Sequence, residues 1–225
     1  MVRPMKLSRG LVWFNVIAVL LVLLLEVARA LDLKPGVAQN YRLRLENKTA
    51  HSFNDQYDDE EESLRVEETL MRTSPHPKIV RWRKELDRLK GRPPLEQADG
   101  VNRLVNDLVT YRSDFQHWHR QDKWGFPFAT LDEGGDCEDY AMLKRVSLHY
   151  LGWPEDGIYL LLGFSKMGGQ PETHAVLMAT LPDGSQLILD SLEKRVLPPA
   201  ADHHFTPMVA IERDHLYFVG TGPAS

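Results

Sequence analysis

Apolar positions recur at helical spacing through the middle of the chain and alternate at strand spacing towards its end. Ile79, Trp82, Leu86 and Leu89 stand three and four residues apart, which predicts a helix that stops at Gly91 with Pro93-Pro94 beyond it. Val101, Leu104, Val105, Leu108 and Tyr111 predict another, and both stripes read most simply as core faces. An earlier helix, opening at the acidic run Asp58-Asp59-Glu60-Glu61-Glu62 and continuing to about Arg72, would be closed by Ser74-Pro75-His76-Pro77. Trp118-His119, Trp124-Gly125-Phe126-Pro127-Phe128 and Gly134-Gly135 read as an aromatic, glycine-rich loop. A further helix is expected from Cys137 to about Leu151, ended by Gly152-Trp153-Pro154. Strands follow: Ile158 to Phe164, Thr173 to Leu181, Gln186 to Leu192, and segments around Met208 to Glu212 and His215 to Val219. The alternating Tyr41-Arg42-Leu43-Arg44-Leu45 fits either a short edge strand or a mobile N-terminal segment. Helices first and strands second predict an α+β fold, with a helix packed on an antiparallel sheet.

The N-terminus carries a different pattern. Arg3, Lys6 and Arg9 precede an apolar run from Leu11 to Leu25, and Ala28-Arg29-Ala30 follows, which is the order of a cleavable signal peptide over residues 1–30. The run is shorter than the usual span, so export to the periplasm with a mature chain starting at Leu31 is expected over a retained anchor. Residues 31–74 then form an extension with the first helix, and residues 75–225 one domain. With 43% hydrophobic residues, 26% charged residues and a net charge of −5, the chain is globular and gives no electrostatic reason to bind nucleic acid.

The single cysteine, Cys137, sits in Gly134-Gly135-Asp136-Cys137-Glu138-Asp139-Tyr140, where a helix begins. A helix N-terminus favours thiolate, the nucleophilic form, whereas a lone cysteine elsewhere is often just a small buried hydrophobe. In an exported chain one cysteine has no intramolecular disulfide partner, which invites a functional role. Downstream, His174 lies on one predicted strand and Asp190 on the next. The intervening Pro182-Asp183-Gly184 suits a three-residue hairpin loop with glycine at the left-handed position, so that Leu181 faces Ser185. In that register His174 and Asp190 share a face as diagonal neighbours, about 7–8 Å apart at Cα. Cys137 as nucleophile, His174 as base and Asp190 as the group that orients it make a triad for acyl transfer, with backbone N–H groups at the helix start stabilising the oxyanion. The pair His117 and His119 lacks a third ligand at a recognisable spacing and reads as surface or packing histidines.

Together, Gly135-Asp136-Cys137-Glu138-Asp139-Tyr140-Ala141, Thr173-His174-Ala175-Val176-Leu177 and Leu189-Asp190 resemble the bacterial transglutaminase-like cysteine proteinase family, in particular its LapG-type periplasmic adhesin proteases. The resemblance runs from about Lys78 to Phe218. It implies a papain/transglutaminase-like fold and an endopeptidase that clips a large surface adhesin near its N-terminal retention module at a paired-alanine site, releasing the cell from a biofilm. It further implies inhibition by an inner-membrane cyclic diguanylate receptor. Calcium is implied by the same resemblance, carried on Asp136, Glu138 and Asp139; from the residues alone, Asp136 with Asp139 equally fits a helix N-cap and its acidic N3 partner. Carboxylates flanking Cys137 would oppose thiolate, a field that calcium would neutralise. Three alternatives keep the same residues: a transglutaminase, a murein peptidase, and a non-catalytic calcium-dependent binding protein.

Overall fold

The computed structural model of the protein describes residues 44–46, 67–113, 126–166, 171–199, 204–212 and 215–220. The predicted leader, the acidic run at 58–62, His117, Trp118, His119 and Trp124 lie outside them. None of the described helices is long and apolar enough to cross a membrane.

A helical segment over residues 67–73 leads to α1 (Pro77–Asp87) and α2 (Pro94–Leu108), and then to α3 (Pro127–Glu133) and α4 (Cys137–Tyr150). Pro77, Pro94 and Pro127 each occupy the first turn, where a missing N–H costs no helical bond and the fixed φ suits the helix. Pro94 therefore starts the next helix as well as marking the end of the previous one. On α1 the predicted stripe is buried at Ile79, Trp82 and Leu86, and the indole N–H of Trp82 donates to Ser147 Oγ at 2.9 Å, tying α1 to α4.

Two expectations for this half are corrected. Tyr111 leaves the helix: α2 ends at Leu108, and Tyr111 stands 66% exposed in a short parallel bridge with Gly135 instead of on a core face. Residues Pro127–Glu133, expected within a loop, form α3, which buries Thr130 and Leu131.

The strands are β1 (Arg44–Glu46), β2 (Ile158–Ser165), β3 (Glu172–Thr180), β4 (Gln186–Leu189), β5 (Phe205–Glu212) and β6 (His215–Gly220). They form one antiparallel sheet in the order β1-β6-β5-β2-β3-β4, with Arg44–Glu46 realising the expected edge strand. β4 and nearly all of β2 are buried at successive positions, the mark of strands covered on both faces. Leu161, Val176, Met178, Ile188, Phe205 and Ala210 pack together as one apolar cluster of the sheet. The result is an α+β fold in which the helix that begins at Cys137, α4, packs on β3.

The β3–β4 turn has the expected register. Leu181 N–H donates to Ser185 O, Thr180 pairs with Gln186 and Leu177 with Leu189. Gly184 takes φ +81°, and Asp183 Oδ1 accepts from the Ser185 N–H and hydroxyl, which closes the loop. β4 is shorter than predicted, so Asp190 lies just past the strand's end.

Candidate active site

The start of α4 is fixed to the segment that follows α2. Arg112 N–H donates to Gly135 O at 2.9 Å, Gly135 N–H donates to Thr110 O at 3.2 Å, and the Tyr140 hydroxyl donates to Val109 O at 2.8 Å. Glycine is required twice here. A Cβ on Gly134, which also has φ +96°, would lie 2.4 Å from Thr110 O, and one on Gly135 would lie 2.3 Å from Asp139 Oδ2.

Asp136 is the N-cap of α4, and a reciprocal capping box joins it to Asp139. The Asp136 side chain accepts from the Asp139 N–H, and Asp139 Oδ2 accepts from the Asp136 N–H at 3.2 Å. Cys137 is the first helical residue, and its thiol donates to Glu138 Oε2 at 3.2 Å. Potential ligand atoms of Asp136, Cys137 and Glu138 lie within 4.8 Å of one another. Of the three carboxylates expected to act together, the structure gathers Asp136 and Glu138 beside the thiol and engages Asp139 in the cap.

The electrostatics of this cluster correct one expectation. The helix N-terminus does not prevail at Cys137: burial pushes the thiol well above its ordinary range, and the charge and hydrogen bond of Glu138 push the same way. A hydrogen bond from the Ala175 backbone N–H opposes them, and this contact sets Cys137 against the residue that follows His174. Glu138 is itself pushed up to about 9, first by burial and then by the hydrogen bond and charge of Asp136. The raised Glu138 carboxyl lies beside Asp136, and a hard cation with an oxygen shell would offset the charge of both.

His174 and Asp190 meet as the register requires. His174 Nε2 and Asp190 Oδ1 are 2.7 Å apart, with 7% and 2% of their surfaces exposed. Engagement of Nε2 leaves Nδ1 as the ring nitrogen available to another group. The Phe205 ring packs edge-on to the imidazole at 5.8 Å. Burial raises the Asp190 carboxyl, yet its pKa falls below the ordinary value, because the hydrogen bond and charge of His174, the Leu192 N–H and the charge of Lys144 outweigh burial.

Sequence patterning overlooked the residues that hold Asp190 in place. Asn106 Nδ2 donates to Asp190 O and Glu193 O, both at 3.0 Å, and Asn102 Nδ2 donates to Glu193 O at 2.9 Å. Asp99 Oδ1 accepts from the Val196 N–H at 3.2 Å. Asp99, Asn102 and Asn106 are spaced by three and four, a polar stripe beside the apolar one on α2 that carries the signal.

The family model described as bacterial transglutaminase-like cysteine proteinase BTLCP matches residues 83–211. The chain is similar to the calcium-bound structure of Legionella pneumophila LapG, with 28% identity and a TM-score of 0.57 over 72% of this chain and 92% of that one. An EGTA-treated structure of Legionella pneumophila LapG matches equally well, with 28% identity and a TM-score of 0.57 over 70% and 86% of the two chains. Among curated proteins no significant match is found.

Proposed function

Because the chain belongs to the bacterial transglutaminase-like cysteine proteinase family, we propose that it is a calcium-dependent periplasmic cysteine endopeptidase that cuts the N-terminal region of a large surface adhesin and so controls attachment in a biofilm. The observation that carries the catalytic reading is the 2.7 Å contact of His174 Nε2 with Asp190 Oδ1, beside a cysteine whose sulfur meets the Ala175 N–H. With Nε2 held, Nδ1 of His174 takes the thiol proton, and Asp190 stabilises the imidazolium that forms. The sulfur attacks the scissile carbonyl carbon, and the backbone N–H of Cys137 faces the developing oxyanion. Imidazolium then protonates the leaving amine, leaving a thioester. In the second half His174 takes a proton from water, hydroxide attacks the thioester carbonyl, and the thiol is restored as the acid product departs.

The donor set beside the nucleophile fits calcium. Asp136 and Glu138 offer hard oxygen atoms close to one another, and backbone carbonyls and water complete such shells. Calcium, when bound, supplies fixed positive charge that opposes the carboxylate field on the thiol. Support for calcium here also comes from the relative that has been described in calcium-bound and EGTA-treated forms. An inner-membrane cyclic diguanylate receptor that sequesters the enzyme belongs to the same reading, as does export through the leader with a mature chain beginning at Leu31.

The test uses the mature protein with calcium and the N-terminal region of the largest repeat-rich exported protein encoded beside it. Cleavage at a paired-alanine site, with products whose masses sum to substrate plus water, is expected. Cys137→Ala should lower the rate on the order of a thousandfold or more with an unchanged circular dichroism spectrum. Loss of ammonia from the substrate would make the protein a transglutaminase, and full activity of Cys137→Ala would remove the thiol from the chemistry. N-terminal sequencing of the periplasmic fraction that found residues 1–30 intact would replace the cleaved form with an anchored one.

A further inference from the structure

Lys144 is a charged-type residue of α4 whose chemistry contradicts its fully buried place. It has no exposed surface and lies among Leu143, Leu148 and the other buried residues of the helix, where burial pulls its amine down to about 7. An apolar side chain of the same length would fill this space at lower desolvation cost, so stability does not explain a lysine. Its position does have a geometric relationship to the site. Seven residues are almost two helical turns, which puts Lys144 beneath Cys137 on the same side of α4. From there Nζ donates to Leu189 O at 3.3 Å, the carbonyl immediately before Asp190. The Tyr140 ring lies 5.9 Å from Nζ, and its hydroxyl is committed to Val109 O.

Asp190 is therefore held from several directions. Its carboxylate meets His174 on β3 and the Leu192 N–H, Asn106 of α2 holds its carbonyl, and Lys144 of α4 holds the carbonyl of Leu189 before it. Asp190 sits beyond the end of β4, where the ladder no longer fixes the backbone. Lys144 is the anchor that comes from the helix bearing the nucleophile. We propose that Lys144 is a positioning residue that joins the Cys137 helix to the exit of β4, setting Asp190 at hydrogen-bonding distance from His174. This role rests on the catalytic reading of His174 and Asp190 given above.

The experiment replaces Lys144 with Met, an apolar residue of similar length. The Met variant should unfold at the same or a higher temperature, since it removes a buried amine. Its kcat should nevertheless fall at least tenfold with KM within twofold of the parent, and Lys144→Gln, which keeps a donor but no charge, should fall between them. In histidine-labelled protein, the downfield proton resonance of the His174 Nε2–H bound to Asp190 should be present in the parent and lost or shifted upfield in the Met variant. An unchanged resonance with unchanged kcat overturns the proposal, as does a loss of kcat only in proportion to lost folded protein. Should the Met variant fail to fold, the resonance and kcat of the Gln variant decide by the same criteria. The resonance does not depend on substrate: its loss in the variant of a parent without peptidase activity would uphold the positioning role and refute proteolysis.

Discussion

His174 on β3 stands directly opposite Gly163 on β2, at the point where the register between β2 and β5 shifts. Partners across an antiparallel ladder project to the same face, so the His174 imidazole lies beside a position with no side chain. A Cβ on Gly163 would lie 2.1 Å from Thr206 O and 2.9 Å from Pro207 Cα, both backbone atoms that cannot swing aside. Gly163→Ala is expected to destabilise the fold by about 1–3 kcal/mol through this overpacking and to lower kcat beyond what the lost folded fraction explains. Urea unfolding alongside kcat corrected for folded protein checks it; a fully active, equally stable variant would mean that the bulge relaxes freely.

Gly184 makes a similar demand at the hairpin that brings His174 and Asp190 together. Its φ of +81° is disfavoured for a β-branched residue by about 1–2 kcal/mol. Gly184→Val should lower the urea midpoint accordingly and reduce kcat, because a shifted turn changes which residues of β3 and β4 face each other. Parent-like kinetics together with a lowered midpoint would show that the ladder holds its register without the turn.

The carboxylates around Cys137 should divide into two kinds. Asp136→Ala and Glu138→Ala are expected to abolish or strongly weaken calcium binding in titration calorimetry, and a calcium-selective chelator should inhibit the parent in a manner reversed by calcium but not magnesium. Asp139→Ala, which loses the bond to the Asp136 N–H, should cost about 1 kcal/mol of stability with a smaller effect on the metal. No binding heat at millimolar calcium in the parent would leave all three as helix-terminal acids.

Asp190 gives a pH signature with a fixed sign. Its folded pKa lies below the ordinary 3.8, so its contribution is fully present above that value and is lost as pH falls through the folded pKa. The parent should therefore lose stability below about pH 4 more steeply than Asp190→Asn, measured as unfolding midpoint against pH. Parallel acid limbs in the two proteins would show that this carboxylate is not stabilised by its neighbours.

Much of this arrangement was legible because it rests on local periodicity. The order of Cys137, His174 and Asp190, the helix that starts at Cys137 and the facing of Leu181 and Ser185 all follow from spacing and turn chemistry. What escaped depends on contacts distant in sequence. α3 has seven residues, too few for an apolar stripe to repeat, and Tyr111 continued the spacing of α2 after the backbone had left the helix. Lys144 reads as a surface lysine until β4 is packed above it, and the upward shift of the Cys137 thiol depends on burial that no motif encodes.

The bonds that build the site differ greatly in the length of chain they close. His174 and Asp190 are 16 residues apart within one hairpin, whereas Lys144 and Leu189 are separated by 45 residues and Asn106 and Asp190 by 84. Loop-closure entropy makes the first pairing available early and the other two only when the hairpin docks onto the helices. A folding chain can thus hold the His174 imidazole and the Asp190 carboxylate together while the Cys137 thiol remains elsewhere. The full set of contacts around Asp190 is therefore completed last, once the hairpin and the helices have closed on each other.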